Sequence, residues 1–413
     1  MPPAIQLPGT YIDEISGNRQ NISGVAASIT AFVGYTPQGP VNTAAPIKSF
    51  GDFEVQFGGL SNGSCLGFAV RDFFANGGMH AIIVRLVHAD ASIGTLAEAA
   101  SPPEPLDAGD FLPVGGPANH KGLYALEQTE MFNLLCIPPY RGPGDALDVD
   151  TSVVAAAAAY CEERQAMLLL DAPKSWSTFD QALEGISNPN SNIVGTRSSN
   201  AALFFPRLRQ PNPLRNGQIE DFATCGAVAG IFARTDATRG VWEAPAGPEA
   251  TLHGVDQLSV SLTDSQIHQL NTQGINCLRN VAGRGLLVWG ARTLRGADHF
   301  ADDYKYVPVR RMALHIEKSL KHGLKWTAFE PNDERLRAQI RLKVNAFMHD
   351  LFRQGAFQGI SLQQTCFVRC DSTTTSRNAI NNGFANLLIG FAPLKPSEFL
   401  VLTLQVKAQQ PAV

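Results

Sequence analysis

The stretch "SEFLVLTLQV" (residues 397–406) decides how the last third of the chain has to be built. Leu400, Leu402, Leu404 and Val406 recur with period two, and Phe399, Val401, Thr403 and Gln405 fill the positions between them. That alternation is a β-strand with one buried face. Only "KAQQPAV" follows, without a turn signal or a returning strand. The strand therefore either closes a sheet laid down earlier in its own chain or keeps an edge that another chain can fill. Residues 1–22 pose the same choice. They read as an extended arm in which Pro8 and Gly9 open a strand-like segment carrying Tyr11, Ile12 and Ile15, proline being tolerated where a strand starts or lies at an edge.

A chain of 413 residues exceeds what one core usually organises, so two domains, or one with a large insertion, are expected. With 44% hydrophobic and 17% charged residues there is ample apolar material to bury. A net charge of −4 offers no basic field of the kind nucleic acid binding needs, which argues against DNA or RNA as a partner. The first twenty residues lack the cationic start and apolar core of a secretory signal, and runs such as "GLLVWGA" fall well short of the roughly 20 residues that span a bilayer. A soluble protein assembled in the cytoplasm, without direct membrane insertion, is expected. Cysteines 65, 136, 161, 225, 277, 366 and 370 form an odd, scattered set, which favours reduced, buried thiols over a disulfide framework.

Working back from the terminal strand, "TCFVRCD" and "ANLLIGFAP" read as two further strands separated by the polar turn "STTTSRNAINNG". Before them come two helices, "VPVRRMALHIEKSLKHGL" and "PNDERLRAQIRLKVNAFMHDLFRQGA". The second has Asn332 as its cap, Asp333 and Glu334 in the first turn, and an apolar stripe of Leu336, Ile340, Val344, Phe347 and Leu351. Its opposite face carries Arg337 and Arg341, one turn apart, either as a solvated surface or as a docking surface for an acidic partner. Upstream, Thr263 or Asp264 caps a helix in "LTDSQIHQLNTQGI", and "LRNVAGRGLLVWGARTL" gives a strand entered through Gly283 and Gly285.

From residue 118 to about 240 strands and helices alternate: "MFNLLCIPP", "VDTSVVAAAAAYCEERQ", "AMLLLDAP", "TFDQALEGI", "AALFFPRLR" and "FATCGAVAGIFARTDATRG". Such alternation predicts an α/β layer with a mainly parallel sheet. The Pro/Gly-rich connector "WEAPAGPEATLHGVD" marks its limit, and residues 89–117 read as a surface loop or insertion. The fold class is thus α/β (α+β) in two domains. The divisions are an arm over 1–22, a mixed α/β domain over 23–260, a C-terminal domain over 261–397 and a terminal strand over 398–413.

A search for chemistry finds little. There is no P-loop, G-x-G-x-x-G, H-E-x-x-H or G-x-S-x-G pattern. Cys366 and Cys370, four residues apart on a strand, would sit about 13 Å apart on one face, too far for a disulfide or one zinc ion. His315, with Glu317 on the same helix, and His322 beside Lys321 are ordinary core or solvated histidines. Glu330, Asp333 and Glu334 are explained by a helix N-terminus. Neither a catalytic site, a metal site nor a cofactor is expected.

Several long segments are similar to the contractile tail sheath proteins of myophages, R-type pyocins and extracellular contractile injection systems. The opening "PGTYIDEISG" resembles the family's start. "AFVGYTPQGPVNTAAPIKSFGDFEVQFGGL" resembles its next block, with Gly34, Gly39, Pro40, Phe53, Phe57, Gly58 and Gly59, and "AVRDFFANGGMHAIIVRL" follows. The most similar text is C-terminal: "GINCLRNVAGRGLLVWGARTL", "YKYVPVRRMALHIEKSLKHGLKWTAFEPNDERLRAQI", "FVRCDSTTT" and "NLLIGFAPLKPSEFLVLTLQV". Residues 89–260 align with no family pattern, and the turn "STTTSRNAINNG" is less acidic than is usual in the family. One polypeptide holds what type VI systems divide between two, and its length implies that the outer decorations of large phage sheaths are missing.

The resemblance implies a C-terminal domain nearest an inner tube, a second domain outside it, and two arms that add strands to neighbouring subunits. In that reading Pro8, Gly9, Tyr11, Ile12 and Ile15 belong to one arm, and Phe399, Val401, Leu402, Leu404 and Val406 to the other. The implied function is a structural, non-enzymatic subunit of a sheath that contracts to drive the tube through a target envelope. The implied partners are further copies in a helical homopolymer of stacked rings, an inner tube protein, and baseplate and terminator or cap proteins. The particle would be assembled in the cytoplasm and, for some types, released from the cell. The family places a tube-attachment helix in the region of "PNDERLRAQIRLKVNAFMHDLFRQGA", and on it the charged face makes Arg337, Arg341 and Lys343 the expected contacts. Two alternatives stay open: a non-contractile phage shell subunit, and an α/β enzyme built on residues 118–240.

Overall fold

A computed structural model describes residues 21–88, 105–140, 148–188, 191–394 and 399–409. Pro8, Gly9, Tyr11, Ile12 and Ile15 of the expected arm lie outside the described residues.

Eight strands form the central sheet: β1 (Thr30–Gly34), β2 (Ala44–Ile47), β3 (Ala81–Arg85), β4 (Leu134–Cys136), β5 (Met167–Asp171), β6 (Ala201–Phe205), β10 (Ile275–Val281) and β11 (Gly285–Val288). A smaller sheet orders β8 (Gln218–Phe222), β7 (Leu208–Asn212) and β9 (Gln257–Leu258) beside it. The central order is β11-β10-β6-β5-β4-β1-β3-β2. The interior ladders are parallel, and antiparallel β2 and β11 close the two edges. All residues of β1 and β6 are buried, as a parallel sheet covered on both faces requires.

The layers covering the sheet follow from the helical text. One face carries α3 (Thr151–Glu163), α4 (Phe179–Ser187) and α6 (Asp264–Thr272) over a core that includes Leu135, Val153, Leu168 and Leu203. On the other face α1 (Phe50–Phe57), α2 (Leu66–Ala75) and α5 (Cys225–Thr238) cover Phe32, Leu134, Leu169 and Phe204. Helix α5 reaches α2 through Gly226 and Gly230. A Cβ on Gly226 would lie 2.0 Å from the Ala69 carbonyl oxygen, and one on Gly230 2.4 Å from that of Phe73. Only glycine allows the two backbones to approach this closely.

The division expected at residue 261 does not separate two packing units. Strand β10 pairs with β6, and Ile267, Leu270, Ile275 and Cys277 belong to a core of the α/β unit. The text read as one strand is a hairpin, since β10 turns back into β11 around Gly283 (φ 77°). The connector over 242–256 does not end this unit either, because Leu252 donates to the Leu286 carbonyl. Thr263 is the cap of α6, and its side chain accepts from Gln266 N–H.

The second unit begins with α7 (Val307–Gly323) and α8 (Glu334–Arg353), which pack under an antiparallel sheet of β12 (Cys366–Arg369), β13 (Phe384–Phe391) and β14 (Leu400–Lys407). Its core joins Ile316, Leu320, Ile340, Phe347 and Leu387 to Leu400, Leu402, Leu404 and Val406. The predicted apolar faces of α8 and β14 are both the buried ones. Asp333, not Asn332, caps α8 by accepting from Leu336 N–H. Asn332 is buried and donates to the Phe384 carbonyl, tying the helix start to β13.

The two units are bolted together through α7. Arg311 and Asp236 form an ion pair at 2.6 Å with side chains 4% and 6% exposed, and the guanidinium lies over the Phe232 ring. Lys318 Nζ donates to the Phe132 carbonyl at 2.6 Å, Arg310 to Asn200, and Gln165 to Glu317. A strap over residues 22–27 runs along α7. Ile22 packs on Gly323, Val25 N–H donates to Ser319 Oγ, Gly24 lies against His315, and the Ala27 carbonyl accepts from Arg311.

Removing one partner of a buried pair leaves an uncompensated charge. Asp236→Asn is expected to cost about 3–5 kcal/mol, seen as a lower urea midpoint with an unchanged slope. The seam also responds to acid. His315 faces Arg311 and Lys318, and burial first, then these cations, hold its pKa at about 4. The unfolded chain takes up that proton near pH 6.5, so it binds more protons than the folded chain between about pH 6.5 and 4. Stability should fall as pH drops through that window, by at most about 3 kcal/mol from this group. In His315→Gln the slope of urea-derived stability against pH should flatten there.

Candidate interaction surfaces

Among the described residues no constellation suits catalysis. At the carboxyl ends of β4 to β6, where an open α/β sheet holds its ligands, Asp148, Asp171, Arg207, Leu170 and Val154 line a cavity of only about 40 Å³. That is room for a water or two, against roughly 300 Å³ or more for a small-molecule site. The polar groups there have structural work. Asp171 Oδ1 accepts from the Thr224 and Cys225 N–H groups at the start of α5, and Arg207 pairs with Asp148. Burial raises the Asp171 pKa, and Arg207 opposes the rise.

His88, Asp107 and Asp110 come together at one end of β3. Their contacts are those of a helix start: Asp107 accepts from the N–H groups of Gly109 and Asp110, and the Asp110 carboxylate meets Asp107 N–H and His88. All seven cysteines are buried. The carboxylates at residues 330–334 likewise serve the start of α8, where Asp333 caps and Glu334 is held below its ordinary pKa by hydrogen bonds from Arg341 and Arg337.

The structure corrects the expected cationic face of α8. Arg337 is buried at 8% exposure, paired to Glu334 and bonded to the Asn332 side chain. Arg341 is drawn inward to the Cys370 carbonyl and Glu334. Lys343 Nζ lies 4.1 Å from the Trp326 ring centroid. Arg341 and Lys343 tie the helix to its own unit, and Arg337 braces the helix start. The residues turned to solvent include Arg335, Ala338, Gln339, Leu342, Asn345, Ala346, His349, Asp350 and Arg353, with Leu342 73% exposed. Reading charges alone missed this face; Leu342, out of phase with the Leu336–Ile340–Val344 stripe, was the available signal.

The terminal strand is likewise placed. Of the two readings left open, β14 realises the first on one side: it pairs antiparallel with β13 of its own chain, Phe384↔Lys407 through Phe391↔Leu400. It is not a free arm, because its even-numbered side chains complete this unit's own core. The other side stays open. Ala408 N–H donates to the Gly383 carbonyl, so alternation along the ladder turns the backbone groups of residues 400, 402, 404 and 406 toward β13 and those of 401, 403, 405 and 407 away. The Lys407 carbonyl accepts from Thr327 Oγ1. No described strand pairs with Val401, Thr403 or Gln405 on that side. Phe399 stacks on Phe367 at 5.5 Å over Gly390, where any Cβ would clash with both rings.

Residues 113–294 match the family model of the phage tail sheath protein central domain, and residues 301–407 match that of the phage tail sheath C-terminal domain. The chain belongs to the phage tail sheath family. The central match includes much of the stretch that sequence reading could not align. The tail sheath protein of Vibrio phage KVP40 is 28% identical over 178 residues, 43% of this chain and 25% of the relative. That of Burkholderia phage BcepMu is 26% identical over 249 residues, 58% of this chain and 50% of the relative. The chain thus spans a quarter to a half of the length of these curated relatives. Solved structures match throughout. The anti-feeding prophage helical sheath in its contracted state superposes with a TM-score of 0.70 at 26% identity, covering 97% of this chain and 99% of that one. A chain of the anti-feeding prophage baseplate gives 0.69 at 26% identity, with 97% and 98% covered.

In this sheath chain, Arg337→Ala should lower stability by about 1–3 kcal/mol through the buried Asn332 carbonyl it leaves unbonded. Arg335→Ala, on the solvent face of the same helix, should stay within about 0.5 kcal/mol of the parent. Thermal unfolding of the two variants side by side checks the assignment.

Proposed function

We propose that the chain is the structural, non-enzymatic subunit of a contractile sheath, which polymerises around an inner tube and shortens to drive that tube through a target envelope. The observation that carries this reading is the end-to-end correspondence with a subunit of a contracted helical sheath. The open side of β14 supports it physically. A strand from a neighbouring copy can add there by main-chain hydrogen bonds, each contributing about 1 kcal/mol net, so neighbours stay linked while their packing changes. The expected partners are further copies of the chain, a tube protein, a baseplate and a terminating cap, within a phage tail or tail-like particle assembled in the cytoplasm. No fuel is required, since a small difference in packing free energy per subunit adds up over a cooperative lattice.

The solvent face of α8 is the surface offered to the tube in this reading. Leu342 and the small residues Ala338 and Ala346 supply a shallow contact, with Arg335 and Arg353 toward its ends. Leu342→Glu combined with Ala346→Glu is expected to reduce co-sedimentation with tube at least tenfold while the melting temperature of the free subunit is kept. Retained tube binding would remove α8 as the contact. Negative-stain images should show sheaths of two lengths; a lattice of one fixed length would instead favour a non-contractile shell.

A further inference from the structure

The strap over residues 22–27 covers a titratable side chain that has no part in strand addition or tube contact. It touches α7 at four places: Ile22 on Gly323, Val25 N–H on Ser319 Oγ, Gly24 on His315, and the Ala27 carbonyl on Arg311. Of these strap residues only Ile22 is buried, while Ser23, Gly24 and Ala26 are exposed. Little apolar area holds the strap down, so it can lift without unfolding either unit. Beneath it the His315 ring lies so close that a Cβ on Gly24 would come within 3.1 Å of Nε2. Its Nδ1 has no hydrogen-bond partner among the described residues.

The ring faces a cavity of about 20 Å³ that it shares with Ala27, Asn133, Gln165, Val241 and Arg311, and among the described residues no carboxylate lines that space. The charges that reach the ring are Arg311 and Lys318 of its own helix. The strap brings no titratable side chain, Asn133 Oδ1 is taken by Ile29 N–H, and the Gln165 side chain is held by Glu317. Asp236 is engaged by Arg311 through two hydrogen bonds.

We propose that His315 is an acid-sensitive latch: while its ring is neutral the strap lies closed on α7, and protonation of the ring releases that strap locally and loosens the seam between the two units. A second proton puts a positive charge beside two cations that have no room to withdraw, since Asp236 fixes Arg311 and the Phe132 carbonyl fixes Lys318. It also makes a buried donor without an acceptor, which is costly. Lifting the strap admits water to the ring and relieves both. Burial first, then the two cations, hold the closed ring at about 4, whereas an exposed ring titrates near its ordinary value of about 6.5. The open state therefore binds more protons between those values, and its population rises as pH falls through them.

The test is amide hydrogen exchange over residues 22–29 of the full chain at pH 7 and pH 4.5, corrected for the intrinsic exchange rate. Protection of Val25 should fall by about tenfold or more relative to amides in the middle of α8, and in His315→Gln it should stay level. Ser319→Ala, which deletes the Val25 bond, should raise exchange equally at both pH values and so marks the signal of a lifted strap. In the unsubstituted chain labelled at histidine, the His315 ring should titrate over the same pH range as the loss of protection. Unchanged protection at pH 4.5, an equal fall in His315→Gln, or an equal fall throughout α8 overturns the proposal.

Discussion

The antiparallel ladder between β13 and β14 is the constraint on which the rest depends. Because side chains and lateral backbone groups share a period of two, the residues that bury Leu400, Leu402, Leu404 and Val406 in the core are also those whose N–H and C=O groups bond to β13. Residues 401, 403 and 405 then show solvent both a side chain and an unpaired backbone edge. A slip by one residue would expose the leucines and bury Thr403 and Gln405. Core formation in the second unit and exposure of an open strand edge are therefore one event. The sheet cannot fold in this register without making the edge.

Helix α7 ties the unit that carries this edge to the rest of the subunit. One side of the helix contributes Met312, Ile316 and Leu320 to the core under the sheet. The other carries Arg310, Arg311 and Lys318 into contact with Asn200, Asp236 and the Phe132 carbonyl of the α/β unit. A buried ion pair is weak evidence for stability, but breaking one is costly, which suits a joint that carries load. Lys318, whose pKa burial lowers to about 8, keeps its amine bonded to a main-chain oxygen and so anchors the helix by geometry as much as by charge. Helix α7 thus joins β14 and the α/β unit through one element.

Much of this was legible in the sequence where periodicity is strong. The α/β alternation, the stripe of α8 and the buried face of β14 all follow from apolar spacing that tertiary context did not override. What stayed hidden depends on partners far along the chain. Asn276 brackets the sheet by donating to the Leu203 and Arg292 carbonyls and accepting from Arg292 N–H, with Gly290 held too close for a Cβ. Nothing in the text "GINCLRN" announces such a bracket, and so the boundary at 261 was drawn through the sheet. The arginines of α8 misled for a related reason. Arg337 is amphipathic enough to lay its stem along the core while its head reaches Glu334 and Asn332, and helical phase alone cannot separate that from a solvated cation.

An open strand edge has to be guarded against indiscriminate pairing. The features around β14 divide that task. Beyond the exposed Val401, the residues Thr403, Gln405 and Lys407 make its solvent face polar, Phe399 is stacked on Phe367, and Thr327 takes up the Lys407 carbonyl. These shorten the open stretch to a few residues, so main-chain bonding by itself supplies only about 1 kcal/mol per bond, too little for a passing strand to repay its loss of conformational entropy. Specificity must then come from the groove between the end of α7 and this edge. Leu320 and Leu324 are buried beneath it and Lys325 is paired with Glu130, so the exposed Lys321 and Lys407 set the sign of charge an entering strand should carry.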